Sequence, residues 1–430
     1  MAILFKNIDL LNENFSVEHN CYVIVEDKKI VKITDTAPFE ENCYERTVDG
    51  KNKLLLPGFY NIHTHLAMSL LRGYAEDMKL QQWLFDKIFP FEAKLTHDDI
   101  YWGATLCIAE CLRFGIVSVT DMYMDASANA EAVLDTGIKA NLALMAANGL
   151  SSDPYPFAGA EEWLREYHNA ADGKLRLDAY IHAEYTTRES FVRQVAAFAK
   201  EKKLNIHMHL SETRQEHEEC KERRGGRTPA QYFNDCGVFE SPATAAHCVW
   251  VEADDMAIFK EKAVTVASNP VSNLKLASGI CPVKEMLDLG INIGIGTDGV
   301  SSNNNLNMLE EMKTLSLLQK IKTDNPVAVS VKDVVYSATA AGAKSQGRLD
   351  SGVIKEGNKA DLIMLDLDRP YMYPRHNLLN NLLFSAMGTD VVLTMVDGEI
   401  LYEDGEYAKI DLERVIFETE VRKKRILGEL

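Results

Sequence analysis

The 430-residue sequence lacks the usual signatures of an exported, membrane-bound or nucleic-acid-binding protein. No apolar run approaches the roughly 20 residues that span a bilayer. The opening Met1-Ala2-Ile3-Leu4-Phe5-Lys6 holds too short an apolar run for an export signal. The eight cysteines are scattered and form no Cys-x-x-Cys pair, which argues for reduced thiols and against a disulfide framework. Basic residues are in short supply: 46 Lys and Arg stand against 64 Asp and Glu, a formal net charge of −18. That balance excludes nucleic acid and anionic membranes as partners, because both require basic patches. Also missing are a Gly/Ser/Pro-rich linker, a low-complexity segment and a short repeat. These absences leave a soluble, cytoplasmic protein. With 46% hydrophobic and 26% charged residues, the chain has the balance and length for one large domain and a smaller one.

What is present is a rhythm. Strand-like runs rich in β-branched and apolar residues fall at 54–62, 115–121, 138–147, 175–183, 204–210, 243–248, 263–268 and 291–298. Helical patterns lie between them, as at 98–114, 187–203 and 306–322. The second of these opens at Thr187 and closes on lysines, which suits the helix dipole. Eight strands alternating with helices predict an α/β fold, a (β/α)8 barrel of the TIM type. An open doubly wound sheet is the alternative, but it usually carries a Gly-rich phosphate loop after its first strand, and none is present. The two ends of the chain differ from this middle and alternate in short strands with turn signals. They predict one composite β-sandwich from residues 1–55 and 350–430, beside a barrel of residues 56–349.

The polar residues of interest fall at the C-terminal ends of the predicted strands, the face where such barrels carry their active sites. His63 and His65 close the first run. On a strand, side chains two apart point the same way, so these imidazoles converge. His207 and His209 close the fifth run, His247 the sixth and Asp298 the eighth. Three histidines and an aspartate suit a divalent cation with one open water position. Such an ion lowers the pKa of bound water towards neutrality. Glu212, three residues beyond His209, is placed to shuttle the proton. Spacing does not choose between His207 and His209, and Asp298 alone is also a good helix cap.

Taken together, Pro57-Gly58, His63-Thr64-His65, the run from Leu71 to Asp77, Trp83-Leu84, His209-Leu210-Ser211-Glu212-Thr213, Ala246-His247-Cys248-Val249-Trp250, the run from Ser272 to Gly279, Gly296-Thr297-Asp298-Gly299 and Gly357-Asn358-Lys359-Ala360-Asp361 resemble the amidohydrolase superfamily. The resemblance covers nearly the whole chain. It is closest to the branch that deaminates S-adenosylhomocysteine, methylthioadenosine and related adenosines. It implies that His63, His65, His209 and Asp298 are the metal ligands, with His247 near the water and substrate. It implies one divalent metal ion per chain, zinc first, with ferrous iron and manganese as alternatives. The implied reaction is hydrolytic deamination: activated water, oriented by His247 and Asp298, adds to C6 of the purine while Glu212 protonates the adjacent ring nitrogen.

The resemblance also implies substrate contacts at Trp83, at Glu92 for the ribose hydroxyls, and at His182. Two departures stand out. Glu184 replaces a proline usual in relatives and adds a carboxylate near the mouth of the site. The third strand carries Lys139, and its end, Ala146 to Leu150, has none of the arginines that hold a homocysteine tail. Lys139 offers only a point charge for such a tail, without the bidentate fork that fits a carboxylate. Among the expected substrates, S-adenosylhomocysteine, methylthioadenosine, 5′-deoxyadenosine and adenosine, the neutral ones therefore gain weight. Competing readings are an aminohydrolase for guanine, a pterin, cytosine or a chlorotriazine, and an inactive scaffold relative. Lids are expected in the long insertions at 70–95 and 150–160, and a homo-oligomer is expected because the branch commonly forms one.

Overall fold

The computed structural model describes residues 2–38, 44–144 and 159–430. Its centre is an eight-stranded parallel sheet made of Phe59–Thr64, Ile116–Asp121, Lys139–Leu144, Leu175–Ile181, Ile206–Leu210, Ala243–His247, Thr265–Ser268 and Ile293–Ile295, paired in chain order. The predicted barrel strands are all there. Nearly every residue in them is buried, which is why they read as continuous apolar runs without alternation. Helices cover the outer face, including His97–Arg113, Glu189–Lys202 and Met308–Lys322. The first is set by a capping box in which Thr96 and Asp99 satisfy each other's backbone N–H. Thr187, expected to open the next, instead donates to the Ala183 carbonyl at 2.7 Å, and the helix begins at Glu189.

The barrel closes without a regular ladder between its last and first strands. The Asp298 N–H donates to the His63 carbonyl at 2.9 Å. The Thr297 N–H donates to Asn61 Oδ1 at 3.0 Å, and Asn61 Nδ2 donates to Thr297 Oγ1 at 2.7 Å. Gly296 lets the two chains approach: a Cβ there would stand 2.7 Å from His63 Cβ.

The apolar run at 54–62, expected to be one barrel strand, is two strands in two sheets. Lys53–Pro57 belongs to the terminal sheet, and the barrel strand starts at Phe59. The break falls at Gly58, where any side chain would collide with Val117 at 2.2 Å. The terminal sheet has nine strands and is mixed. Ala2–Leu11 runs parallel to Lys53–Pro57, which is antiparallel to Leu362–Asp366, so both ends of the chain meet there as expected. The last helix, Leu412–Gly428, packs on the barrel helix His97–Arg113. Arg414 and Arg422 stack on Trp102 at 5.1 and 5.5 Å, and Arg425 pairs with Asp99. No helix among the described residues is long and apolar enough to cross a membrane.

Candidate active site

The site forms where strand ends turn. His63 lies at the end of the first strand with His65 just past it, and His209 lies in the fifth. His247 ends the sixth, and Asp298 follows the eighth. His247 and Asp298 hold left-handed backbone, φ 70° and 60°, a conformation costly for residues with a side chain and concentrated at functional sites. Their donor atoms converge. His65 Nε2 lies 3.1 Å and His63 Nε2 3.5 Å from Asp298 Oδ1. The ligand atoms of His63, His65 and Asp298 lie within 4.8 Å of one another, as do those of His63, His209 and His247.

Each ring is fixed from behind. His65 Nδ1 meets the Met122 carbonyl at 2.7 Å, and His209 Nδ1 meets the His182 carbonyl at 2.8 Å. A carbonyl only accepts, so both rings carry their proton on Nδ1 and turn the Nε2 lone pair inwards. His247 Nδ1 is held in the same way by Asn273 Oδ1 at 2.8 Å. His207 does not face the centre. It stacks on His63 with ring centroids 5.1 Å apart and its Nε2 2.9 Å from His63 Nδ1. Of the two, His209 turns Nε2 to the centre and His207 lies behind His63. Asp298 Oδ2 accepts from Ser272 Oγ at 2.6 Å and Ser302 Oγ at 2.9 Å, and its Oδ1 accepts from the Gly299 N–H at 2.8 Å.

The protein supplies little positive charge to this centre. His63 Nε2 is buried with no hydrogen-bond partner, a state costing about 1–3 kcal/mol. Burial drives the His63 pKa down to about 3. Burial also opposes a proton on His65, yet contact with Asp298 overrides it and lifts His65 to about 8. Burial opposes the Asp298 charge too, but His63 and His65 hold it well below the usual carboxylate range. An anion ringed by inward-facing imidazole lone pairs is the donor set of a divalent-cation site, and these residues fit one.

Glu212 lies beside this centre, its Oε2 3.9 Å from His247 Nε2. Burial raises its pKa, with His247 opposing. Its loop is held by Glu216, whose carboxylate accepts from the Ser211 and Glu212 N–H groups at 3.0 and 2.7 Å. Above the centre opens a cavity of about 610 Å³, lined by Trp83, Glu92, His182, Glu212, His247 and Asp298 among others. Trp83 donates to the Ala75 carbonyl at 3.3 Å. Burial pushes Glu92 up to about 7, with Tyr123 opposing. His182 bonds Thr186 Oγ1 through Nδ1 at 2.9 Å, and burial lowers it to about 4. One wall is the stretch carrying Leu80–Trp83, Leu84–Ile88 and Phe89–Glu92, within the insertion expected at 70–95. The insertion at 150–160 and the strand end Ala146 to Leu150 lie almost wholly outside the described residues.

Two expectations are corrected. Lys139 is absent from the cavity lining. It is the first residue of its strand, so it lies at the opposite end of the barrel, with Nζ 2.7 and 2.6 Å from the Asp361 oxygens and 2.6 Å from Asp397. Glu184 adds no carboxylate at the mouth. The short 3₁₀ turn Glu184–Thr186 directs it away from the cavity, where it is buried against Arg223 and Arg224 at 2.5 and 2.7 Å. Sequence reasoning missed Tyr123 and Tyr180 in the lining. Both lie at or just past a strand end, and that position was the available signal.

Residues 54–401 match the amidohydrolase family. The chain is 44% identical over 422 residues to a 5-methylthioadenosine/S-adenosylhomocysteine deaminase of Dictyoglomus thermophilum, covering 98% of each chain. It is 41% identical to the protein of the same name from Dictyoglomus turgidum, again over 98% of each. Among solved structures, it is similar to an adenosine deaminase from Xanthomonas campestris with bound zinc. There the TM-score is 0.93 at 29% identity, covering 99% of this chain and 98% of that one.

Proposed function

From the premise that this chain belongs to the amidohydrolase family, we propose that it hydrolyses the exocyclic amine of a 5′-substituted adenosine, giving the inosine analogue and ammonia. It is a hydrolase of C–N bonds. The observation that carries the reading is the buried centre of His63, His65, His209 and Asp298, with Glu212 beside it at the floor of a largely apolar cavity. These four residues hold one divalent ion, zinc by the likeness to a zinc-bound relative; iron(II) and manganese(II) suit the same donors. When bound, the ion lowers the pKa of water towards neutrality and makes it a nucleophile.

The chain's own residues do the rest. Asp298, anionic and fixed by Ser272 and Ser302, accepts a hydrogen bond from the attacking water. His247, locked by Asn273, directs Nε2 towards the same oxygen. Glu212 protonates purine N1 as the oxygen adds to C6, and the proton taken from water leaves with ammonia. Its raised pKa suits a group that must both give and take a proton. Trp83 and the neighbouring apolar wall exclude water from the base. Glu92 accepts from the ribose hydroxyls, and His182 contacts the nucleoside.

The same cavity supports a neutral 5′ tail. No lysine or arginine lines it among the described residues. The sequence of 145–158 also contains none and includes Asp153. A homocysteine carboxylate would enter without a cation, which is costly in a dry site. The test is a deamination panel on zinc-loaded protein with adenosine, 5′-deoxyadenosine, methylthioadenosine, S-adenosylhomocysteine, adenine and guanine. Methylthioadenosine should exceed S-adenosylhomocysteine in kcat/KM. The reverse order would overturn the tail assignment, and silence on every adenosine would overturn the nucleoside assignment.

A further inference from the structure

One polar group on the cavity wall has no role in the reaction above and no well-formed hydrogen bond. Tyr123 stands two residues past the second strand, next to Met122, whose carbonyl anchors His65. Its ring centroid is 6.4 Å from that of His65. The residue is only 4% exposed, it lines the cavity, and its buried hydroxyl makes no well-formed hydrogen bond, leaning only on the Glu92 carboxyl. The ring itself is packed in one apolar cluster with Leu80, Trp83, Ile88 and Phe91. It cannot swing out to water without breaking that packing.

The group nearest in chemistry is Glu92, also buried and also lining the cavity. Each disturbs the other's ionisation. Burial and then Glu92 push the phenol upward, while the phenol moderates the rise that burial imposes on Glu92. A buried phenol without a well-formed bond beside a buried carboxyl is an arrangement missing a third party. The missing group must accept one hydrogen bond and donate others. A single hydroxyl or a purine nitrogen does only part of this. A vicinal diol does all of it: its two O–H groups donate to the carboxylate, and one of its oxygens accepts from the phenol.

We propose that Tyr123 completes a clamp on the vicinal ribose hydroxyls, its phenol donating to one of them while the Glu92 carboxylate accepts from both. The proposal rests on the nucleoside reading given above. It adds a residue that decides between ribosides and deoxyribosides and leaves the chemistry at C6 untouched.

The test compares wild type and Tyr123→Phe, both zinc-loaded, on adenosine, 2′-deoxyadenosine and 3′-deoxyadenosine. Phenylalanine keeps the apolar packing, so zinc content and melting temperature should match wild type. On adenosine, kcat/KM should fall roughly tenfold, the effect of losing one buried hydrogen bond to a substrate hydroxyl. On the deoxy analogue that lacks the partner hydroxyl, wild type and variant should agree within about twofold. A loss of equal size on all three substrates would reduce Tyr123 to packing and overturn the clamp. An active wild type with an unchanged variant would overturn it as well, with the deaminase reading intact. Silence of wild type on all three would remove the nucleoside reading and the clamp together.

Discussion

Lys139→Met should destabilise the protein and leave its substrate preference alone. In the folded chain Lys139 Nζ lies between Asp361, at 2.7 and 2.6 Å, and Asp397, at 2.6 Å. All three residues are buried. Asp361 also accepts from the Tyr60 hydroxyl at 2.7 Å and the Asp397 N–H at 2.9 Å. Methionine fills the volume but takes the nearest cation from two buried carboxyls, leaving Asp397 only Lys359 at 3.8 Å. Removing one partner of a buried ion pair costs about 3–5 kcal/mol. At roughly 2–4 °C per kcal/mol for a large domain, the melting temperature should drop by about 10 °C at pH 7.

The pH dependence carries a sign. Burial works against the Asp361 charge, but Lys139 holds its pKa down at about 2. A carboxyl depressed in the fold contributes stability that is present above the unfolded value of about 3.9 and lost as pH falls through the folded one. The gap between wild type and variant should therefore be full at pH 7 and close between about pH 4 and pH 2. Differential scanning fluorimetry across that range measures it, and a parallel deamination assay at low temperature measures preference. An unchanged melting temperature, joined to a selective loss on S-adenosylhomocysteine, would refute the reasoning and return Lys139 to the substrate.

Three further outcomes are expected. Glu212→Gln should lower kcat by about 10²–10⁴ with zinc content and melting temperature unchanged; a variant keeping a tenth of wild-type turnover would rule out the proton shuttle. His207→Phe removes the acceptor 2.9 Å from His63 Nδ1 and should weaken zinc retention about 10–100-fold in a competitive chelator titration, whereas His207→Gln should retain it. Equal affinity in wild type and the Phe variant would show that His63 is oriented by packing alone. Stripping the metal should abolish deamination and lower the melting temperature, with zinc at 100 times its Kd restoring about 2.7 kcal/mol. A stripped protein that melts like the loaded one would mean that no ion binds the folded centre.

The barrel was legible because each of its strands is buried on both faces and so appears as an unbroken apolar run. The histidine cluster was legible because an i, i+2 spacing on a strand aligns side chains whatever surrounds them. The register of a side chain along the barrel axis was harder to read. Lys139 and His209 both sit on barrel strands, yet one is a first residue and the other lies at the C-terminal end. A sequence run blurred by a residue or two does not say which end is which. Glu184 fails for a different reason: its partners Arg223 and Arg224 arrive from 39 and 40 residues away. Nothing local to the turn announces them. Tyr123 needed both the cavity and the missing hydrogen bond.

The two ends of the barrel now read as opposite solutions to the problem of burying charge. At the N-terminal end, two aspartates are buried together with their own cation, Lys139, and the cluster joins the barrel strand Lys139–Leu144 to the terminal sheet through Asp361 and Asp397. That end carries its own counter-charge. At the C-terminal end, Asp298 is buried among imidazoles that face it with lone pairs, and His63 Nε2 has no hydrogen bond. That end gathers the donor set that a divalent cation would satisfy. It is also where the ring is weakest, since the eighth strand spans only Ile293–Ile295 and meets the first through Asp298, Thr297 and Asn61 instead of a ladder. An ion held by His63, His65, His209 and Asp298 would tie the first, fifth and eighth strand ends across that seam. The residues that activate water would then also lock the barrel shut, so a substitution that loosens one should be felt by the other.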